Sequence, residues 1–234
     1  MWRGGPDEAA RKGLERGVAD IFHEVDEEVR REQLKRLWER YSILIVALAV
    51  LIVAGIGGWR GYEYWVAQKA AAAGAAFEAA VTLSEQGKHA EAESAFAKIA
   101  TDAPAGYRVL ARFRAAAELA QVKADDAVKA YDALAADGSL GLTWQDLAVT
   151  RAGMLLVDTA PLAEMQKRLQ PLTEANRPFR HTARELLALS AWRAHDLTAA
   201  KRYIDMVVGD AESPPGTRTR IDVLAALLAA DGKS

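Results

Sequence analysis

Residues 87–104 read GKHAEAESAFAKIATDAP, and residues 123–138 read KADDAVKAYDALAADG. Laid over one another, Ala92 falls on Ala127, Phe96 on Tyr131 and Ile99 on Leu134, each pair 35 positions apart. A small, an aromatic and an aliphatic residue recur in the same order at helical spacing. The two stretches are therefore predicted to be helices with the same face inward. Similarity at a fixed interval signals stacked units, because one such unit cannot bury its apolar face alone.

The flanking sequence supplies the breaks. Gln86-Gly87-Lys88, the Pro104 and Gly106 region, Asp137-Gly138, Asn176-Arg177-Pro178 and Ser213-Pro214-Pro215-Gly216 carry turn chemistry. Helices of 12 to 18 residues fit between them. A period near 34 residues made of two helices resembles the tetratricopeptide repeat. In that pattern a small residue early in the second helix lets the pair touch. An aromatic four positions later fills the groove, and proline ends the unit. Ala92, Phe96 and Pro104 match those places, while Ala80 and Gly87 suit the first helix and its turn.

Asp196 to Ala200, then Ile204 and Val207, has the spacing of another second helix, with 181–194 as its partner. Residues 143–157 and 160–173 form a pair without the signature, with Pro161 at a helix start and Pro171 at an end or kink. Helix 217–230 is expected to close the stack with its polar side out. The predicted class is all-α, with a TPR-like α-solenoid of three to four helical hairpins plus a C-terminal capping helix over 77–234. Such a stack offers a concave surface for extended peptides or partner helices. An alanine-rich bundle with accidental periodicity is the rival reading.

Upstream lies SILIVALAVLIVAGIGG, Ser42 to Gly58, seventeen residues without a charge, closed by Tyr41 and Trp59. Ten are Leu, Ile or Val, and together they favour insertion at mid-bilayer by about 3 to 6 kcal/mol. Tyr41 to Trp59 rises about 28 Å as a helix, close to the hydrocarbon thickness. A single transmembrane helix is expected over 41–60, with the lipid bilayer as its solvent. Arg30, Arg31, Lys35, Arg36 and Arg40 precede it, against Arg60 and Lys69 after it. That asymmetry keeps the N-terminus cytoplasmic and exports the C-terminal domain. A cleaved signal peptide has a shorter apolar core, but the small residues of 67–76 leave cleavage as an alternative. A buried core helix is disfavoured because no polar face interrupts the run.

Residues 61–76 read as an interfacial, helical linker with Tyr62, Tyr64 and Trp65 at headgroup level. Gly57 and Gly61 form a small-xxx-small pair, either a helix-contact seam or a chance pair in a glycine-rich run. Residues 18–40 read as an amphipathic cytoplasmic helix, acidic first and basic last, either solvated or docking a partner. Residues 1–17 read as disordered.

The net charge of −2 gives no field for nucleic acid. No cysteine is present, which removes disulfides, thiolate metal sites and a cysteine nucleophile. His23, His89, His181 and His195 show no metal spacing, and no phosphate loop or nucleophile elbow occurs. His89 and His195 read as polar turn residues. No catalytic residue, cofactor, metal or small-molecule substrate is expected, and the chain reads as a non-enzyme.

DIFHEVDEEVRREQLKRLWERY at 20–41, one span, and an alanine-rich domain carrying GKHAEAESAFAKIA together resemble the YfgM-type ancillary subunits of the SecYEG translocon, alphaproteobacterial type. The resemblance begins near Ala19, which makes Val18 an alternative start. It implies a single-pass inner-membrane protein with a periplasmic domain. Its implied partners are a SecYEG-type translocon, a membrane-anchored periplasmic chaperone and exported clients. The alternative is an accessory subunit of another inner-membrane complex, such as a respiratory assembly.

Overall fold

The computed structural model describes residues 7–231, with side chains at Lys35 and from Trp38 to Ala230. The described chain is helical and forms two compact units, one up to Val66 and one from Ala67. Helix α1 runs from Asp7 to Glu85. No proline occurs between Pro6 and Pro104, and α1 stops where Gly87 takes φ +75°, a left-handed conformation that glycine adopts without strain. Residues 7–17, expected to be disordered, are helical. DEAARKGLERG is rich in helix formers and opens with two acids that suit a helix N-terminus. Residues 1–6 lie outside the described residues, as do the side chains of His23 and of Ile21, Val25 and Val29, the apolar positions four apart in the expected cytoplasmic helix.

Among the described residues one helix is long and apolar enough to cross a bilayer, and none of its apolar window is buried. Every residue from 43 to 69 is exposed. Just after the apolar run the Trp59 indole donates to Glu63 at 2.9 Å, and the Tyr62 and Trp65 rings lie 6.3 Å apart.

The second unit comprises the end of α1, then α2 (His89–Asp102), α3 (Ala105–Val122), α4 (Ala124–Ala136), α5 (Leu142–Leu156), α6 (Leu162–Leu169), α7 (Arg180–Arg193), α8 (Leu197–Val208) and α9 (Pro215–Asp231). Within it Ala73 is buried and Gly74 lies against the Tyr107 hydroxyl. The Phe77 and Phe96 rings meet edge to face at 5.0 Å, seating the end of α1 on α2. Each helix from α2 onward packs on the next, and α7 also touches α5 and α9.

Side-chain bonds repeat the sequence interval. Ser84 reaches Glu118, Arg168 reaches Asp132, Tyr203 reaches Gln170 and Arg220 reaches Glu185, at separations of 34, 36, 33 and 35 residues. These bonds join α1 to α3, α4 to α6, the end of α6 to α8 and α7 to α9, each one pair along, as stacked repeats require.

The core is alanine-rich, with Ala80, Ala92, Ala111, Ala127 and Ala148 all fully buried. Small residues let helix backbones approach closely, so the few large side chains fill most of the remaining space. The middle pair reaches the same end differently. A Cβ on Gly153 of α5 would lie 3.1 Å from Leu169 of α6, so the bare position is on the first helix, not the second. Helix α9 departs from the expectation of a polar outer side. Ile221 and Leu224 face inward, but Val223 and Leu227 stand 58% and 45% exposed. The eight apolar residues of VLAALLAA, 223–230, cannot all fit one inward face.

Candidate interaction surface

The repeat positions named above sort into two clusters. Ala80, Ala92, Phe96 and Ile99 pack with Ala111, and Tyr131 and Leu134 pack with Ala116, Ala148 and Ala152. Ala127 is fully buried, and Pro104 precedes the first residue of α3. Tyr41, Gly58 and Trp59 are exposed and Ser42 is half-buried. Gly57 and Gly61 have open space where a side chain would stand.

Beside the first cluster, α1 and α2 enclose a groove of about 450 Å³. Its floor is Ala72, Ala76, Ala79 and Leu83 of α1, and Ala95 and Ile99 of α2 form the wall, with Lys98 and Asp102 at the rim. Its apolar floor and charged rim suit a helix, and nothing in it offers a reactive group. A second groove, about 550 Å³, lies between α8 and α9, with Ile204 and Leu228 on its sides and a Lys201–Asp205 ion pair at 2.9 Å on its lip.

The ionisable groups that sequence leaves scattered are brought together by the fold, and they tie helices to one another. Glu118, buried in α3, accepts from the Ser84 hydroxyl at 2.7 Å and faces His89 Nδ1 at 2.8 Å. His89 thus opens α2 and anchors the α1–α2 turn on α3. His195 takes φ +58°, and its N–H bonds the Trp192 carbonyl at 2.9 Å to end α7.

His181, Asp210 and Ser213 occur in an order and proximity that invite comparison with a hydrolytic triad. The bonding excludes that role. The Ser213 hydroxyl donates to the Val207 carbonyl at 2.6 Å, so at 3.1 Å it receives the His181 Nδ1 proton and cannot yield its own. Burial, helped by Arg180, lowers the His181 pKa. Asp210 binds Arg180 at 3.0 Å and Arg184 at 2.8 Å, which hold its carboxyl far below the usual range. Arg184, buried, also donates to the Thr173 and Met206 carbonyls, and Arg180 also binds Glu212. His181 and Ser213 are both buried. A third buried group, Asp146, meets Arg177 at 3.3 Å through one oxygen while the other has no partner, and burial raises its pKa against Arg177.

Sequence reading missed this network because its members are spread from Thr173 to Ser213 without a motif. It missed the groove too, although alanines spaced three and four apart at 72, 76 and 79 are its signal. Among the described residues no cluster of three or more His, Asp or Glu has metal-site geometry.

No curated protein and no solved structure matches the chain. The tetratricopeptide repeat-like domain family matches residues 35–186, more than half of the chain, starting ahead of the apolar run and ending within α7. With stacked helix pairs, small residues at their contacts and side-chain ties one pair apart, the chain belongs to the tetratricopeptide repeat-like domain family.

Proposed function

We propose that the chain is a non-enzymatic scaffold held in a bacterial inner membrane by residues 41–60. On this reading residues 18–40 are cytoplasmic, 61–76 join the span to the domain, and 77–234 bind protein partners in the periplasm. The partners are a SecYEG-type translocon, a membrane-anchored periplasmic chaperone and exported clients. One observation carries the reading: a fully exposed apolar helix segment belongs to the same chain as a protein-binding repeat stack. Apolar side chains standing free over 43–56 need lipid around them. The basic excess before the run supports the orientation.

Photocrosslinking from the repeat domain in native membranes tests the assignment. Adducts with translocon subunits or a periplasmic chaperone are expected. Their absence beside a working control, or adducts with a respiratory complex instead, would overturn it. Protease added to spheroplasts should cut the repeat domain, and protease added to inverted vesicles should spare it.

A further inference from the structure

The stack of the second unit is apolar at both of its ends, and the two surfaces have opposite shapes. In α9, Ile221 to Ala230 holds one polar residue, Asp222. A helix apolar all round belongs in an interior. Ile221 and Leu224 are buried against the fold, while Val223, Ala226, Leu227 and Ala230 are exposed. Their spacing of i, i+3, i+4 and i+7 puts those four on one face. Counting back the repeat interval of 35 pairs Val223 with Ala188 and Ala226 with Ala191, and both alanines are fully buried in α7. The same face is thus covered on α7, where further helices follow, and bare on α9. Val223 also stands where α7 has only an alanine, so the bare face is raised into a ridge.

The α1–α2 end is hollow instead. Leu83 and Ile99 line the groove of about 450 Å³ and also pack in the first core cluster, which holds its walls in place. Between them Ala72, Ala76 and Ala79 stay exposed. Inside the stack, alanines mark the places where helices touch, with Ala92, Ala111, Ala127 and Ala148 fully buried. An open alanine floor has the form of such a contact without its second helix, a gap that close packing does not leave inside a fold.

We propose that α9 of one copy of this chain lies in the α1–α2 groove of a second copy, so that the stack continues from chain to chain. The floor from Ala72 to Leu83 and the ridge from Thr219 to Ala230 cover the same number of residues, about 16 Å of helix each. Val223 and Leu227 supply the bulk that the alanine floor lacks. The α2 rim carries Lys98 and Asp102, and the ridge is flanked by Arg220 on one side and Asp222 on the other, so neither surface brings an excess of one sign to the contact. The two surfaces differ, which makes the contact heterologous, and each copy offers one surface of each kind. The contact needs neither a bilayer nor a translocon, and it stands or falls apart from the function proposed above.

The chain has no cysteine, so two single variants of the full chain report on the contact. Ala76→Cys in the floor and Ala226→Cys on the ridge are produced together in native membranes, with different tags, and oxidised. Both lie near the middle of their surfaces, so they meet whichever way α9 runs along the groove. The mixed disulfide dimer should form in at least about tenfold higher yield than either like dimer, because only groove against ridge brings two cysteines within bonding reach. Ala71→Cys, outside the groove, paired with Ala226→Cys sets the level of chance encounters. Leu227→Asp beside Ala226→Cys should lower the mixed dimer to that level, and Leu227 is exposed, so the core of the variant is untouched. Like dimers as abundant as the mixed one, a mixed dimer at the chance level, a yield indifferent to Leu227→Asp, or disulfides to another protein alone would each overturn the proposal.

Discussion

The first two helix pairs and the last three helices hold together by different means. From 77 to 136 the contacts follow a rule, with alanine opposite helix, ring in the groove and aliphatic below, as at Ala92, Phe96 and Ile99 and again at Ala127, Tyr131 and Leu134. From 180 to 231 an apolar core is overlaid by a polar clamp in which Arg184 and Arg180 grip Asp210 while Arg220 grips Glu185. Periodic packing depends on shape and tolerates no change in volume. A clamp depends on every partner being present. The two regions should therefore fail under different insults.

The largest expected effect is on the ring. Phe96→Ala removes a fully buried side chain at the centre of the first cluster and should cost about 3 to 5 kcal/mol. Hydrogen exchange on the full chain in detergent should show protection lost over 77–122, with α7 to α9 retaining theirs. Equal loss in both regions would merge them into one cooperative unit.

Arg184→Ala is expected to come next. It empties a buried site, leaving the buried Thr173 carbonyl without its donor and the half-buried Asp210 with one arginine fewer, at about 3 kcal/mol. Replacing Arg184 and Asp210 together by apolar residues should be milder than Arg184→Ala alone, and a urea titration of the three variants checks the order. A double variant at least as unstable as the single one would show that the clamp adds net stability.

Asp196→Ala should cost about 1 kcal/mol, because its carboxylate caps α8 by accepting from the Ala199 amide at 2.9 Å. Asp196→Asn should restore most of it. Thermal melts followed by circular dichroism resolve the pair of variants.

Acid gives the finest distinction. His181 has a lowered pKa in the folded chain, so the unfolded chain takes the proton first and stability falls as pH drops below about 6.5. Asp137 is held down to about 2 by the Ser139 hydroxyl and Arg112, so its contribution is intact above about 4 and is lost only as pH falls toward 2. Exchange protection over α7 to α9 should weaken between pH 6.5 and 5 while that around Asp137 persists. His181→Gln should remove the early loss.

The sequence carried the ruled region well because its information is local. Ala92 and Phe96 are neighbours on one helix, and a second copy 35 residues on makes the pattern visible. The apolar run was equally legible, since seventeen uncharged residues need no partner to be recognised. The clamp was not. Arg184 reads like any other arginine on a charged helix, and only folding places it against Asp210. The outer face of α9 was misread because amphipathicity was assumed where eight residues hold no polar side chain. The middle pair lacked its signature because the small residue had moved to Gly153, across the contact from where the pattern puts it.

The ties between positions 33 to 36 residues apart reach one pair along and no further. A load applied to α9 would therefore be carried by Glu185 and its surroundings before the helices nearer α1 felt it. Pulled there, such a stack would ravel from α9 in short steps. The pairs nearest α1 would be the last to let go.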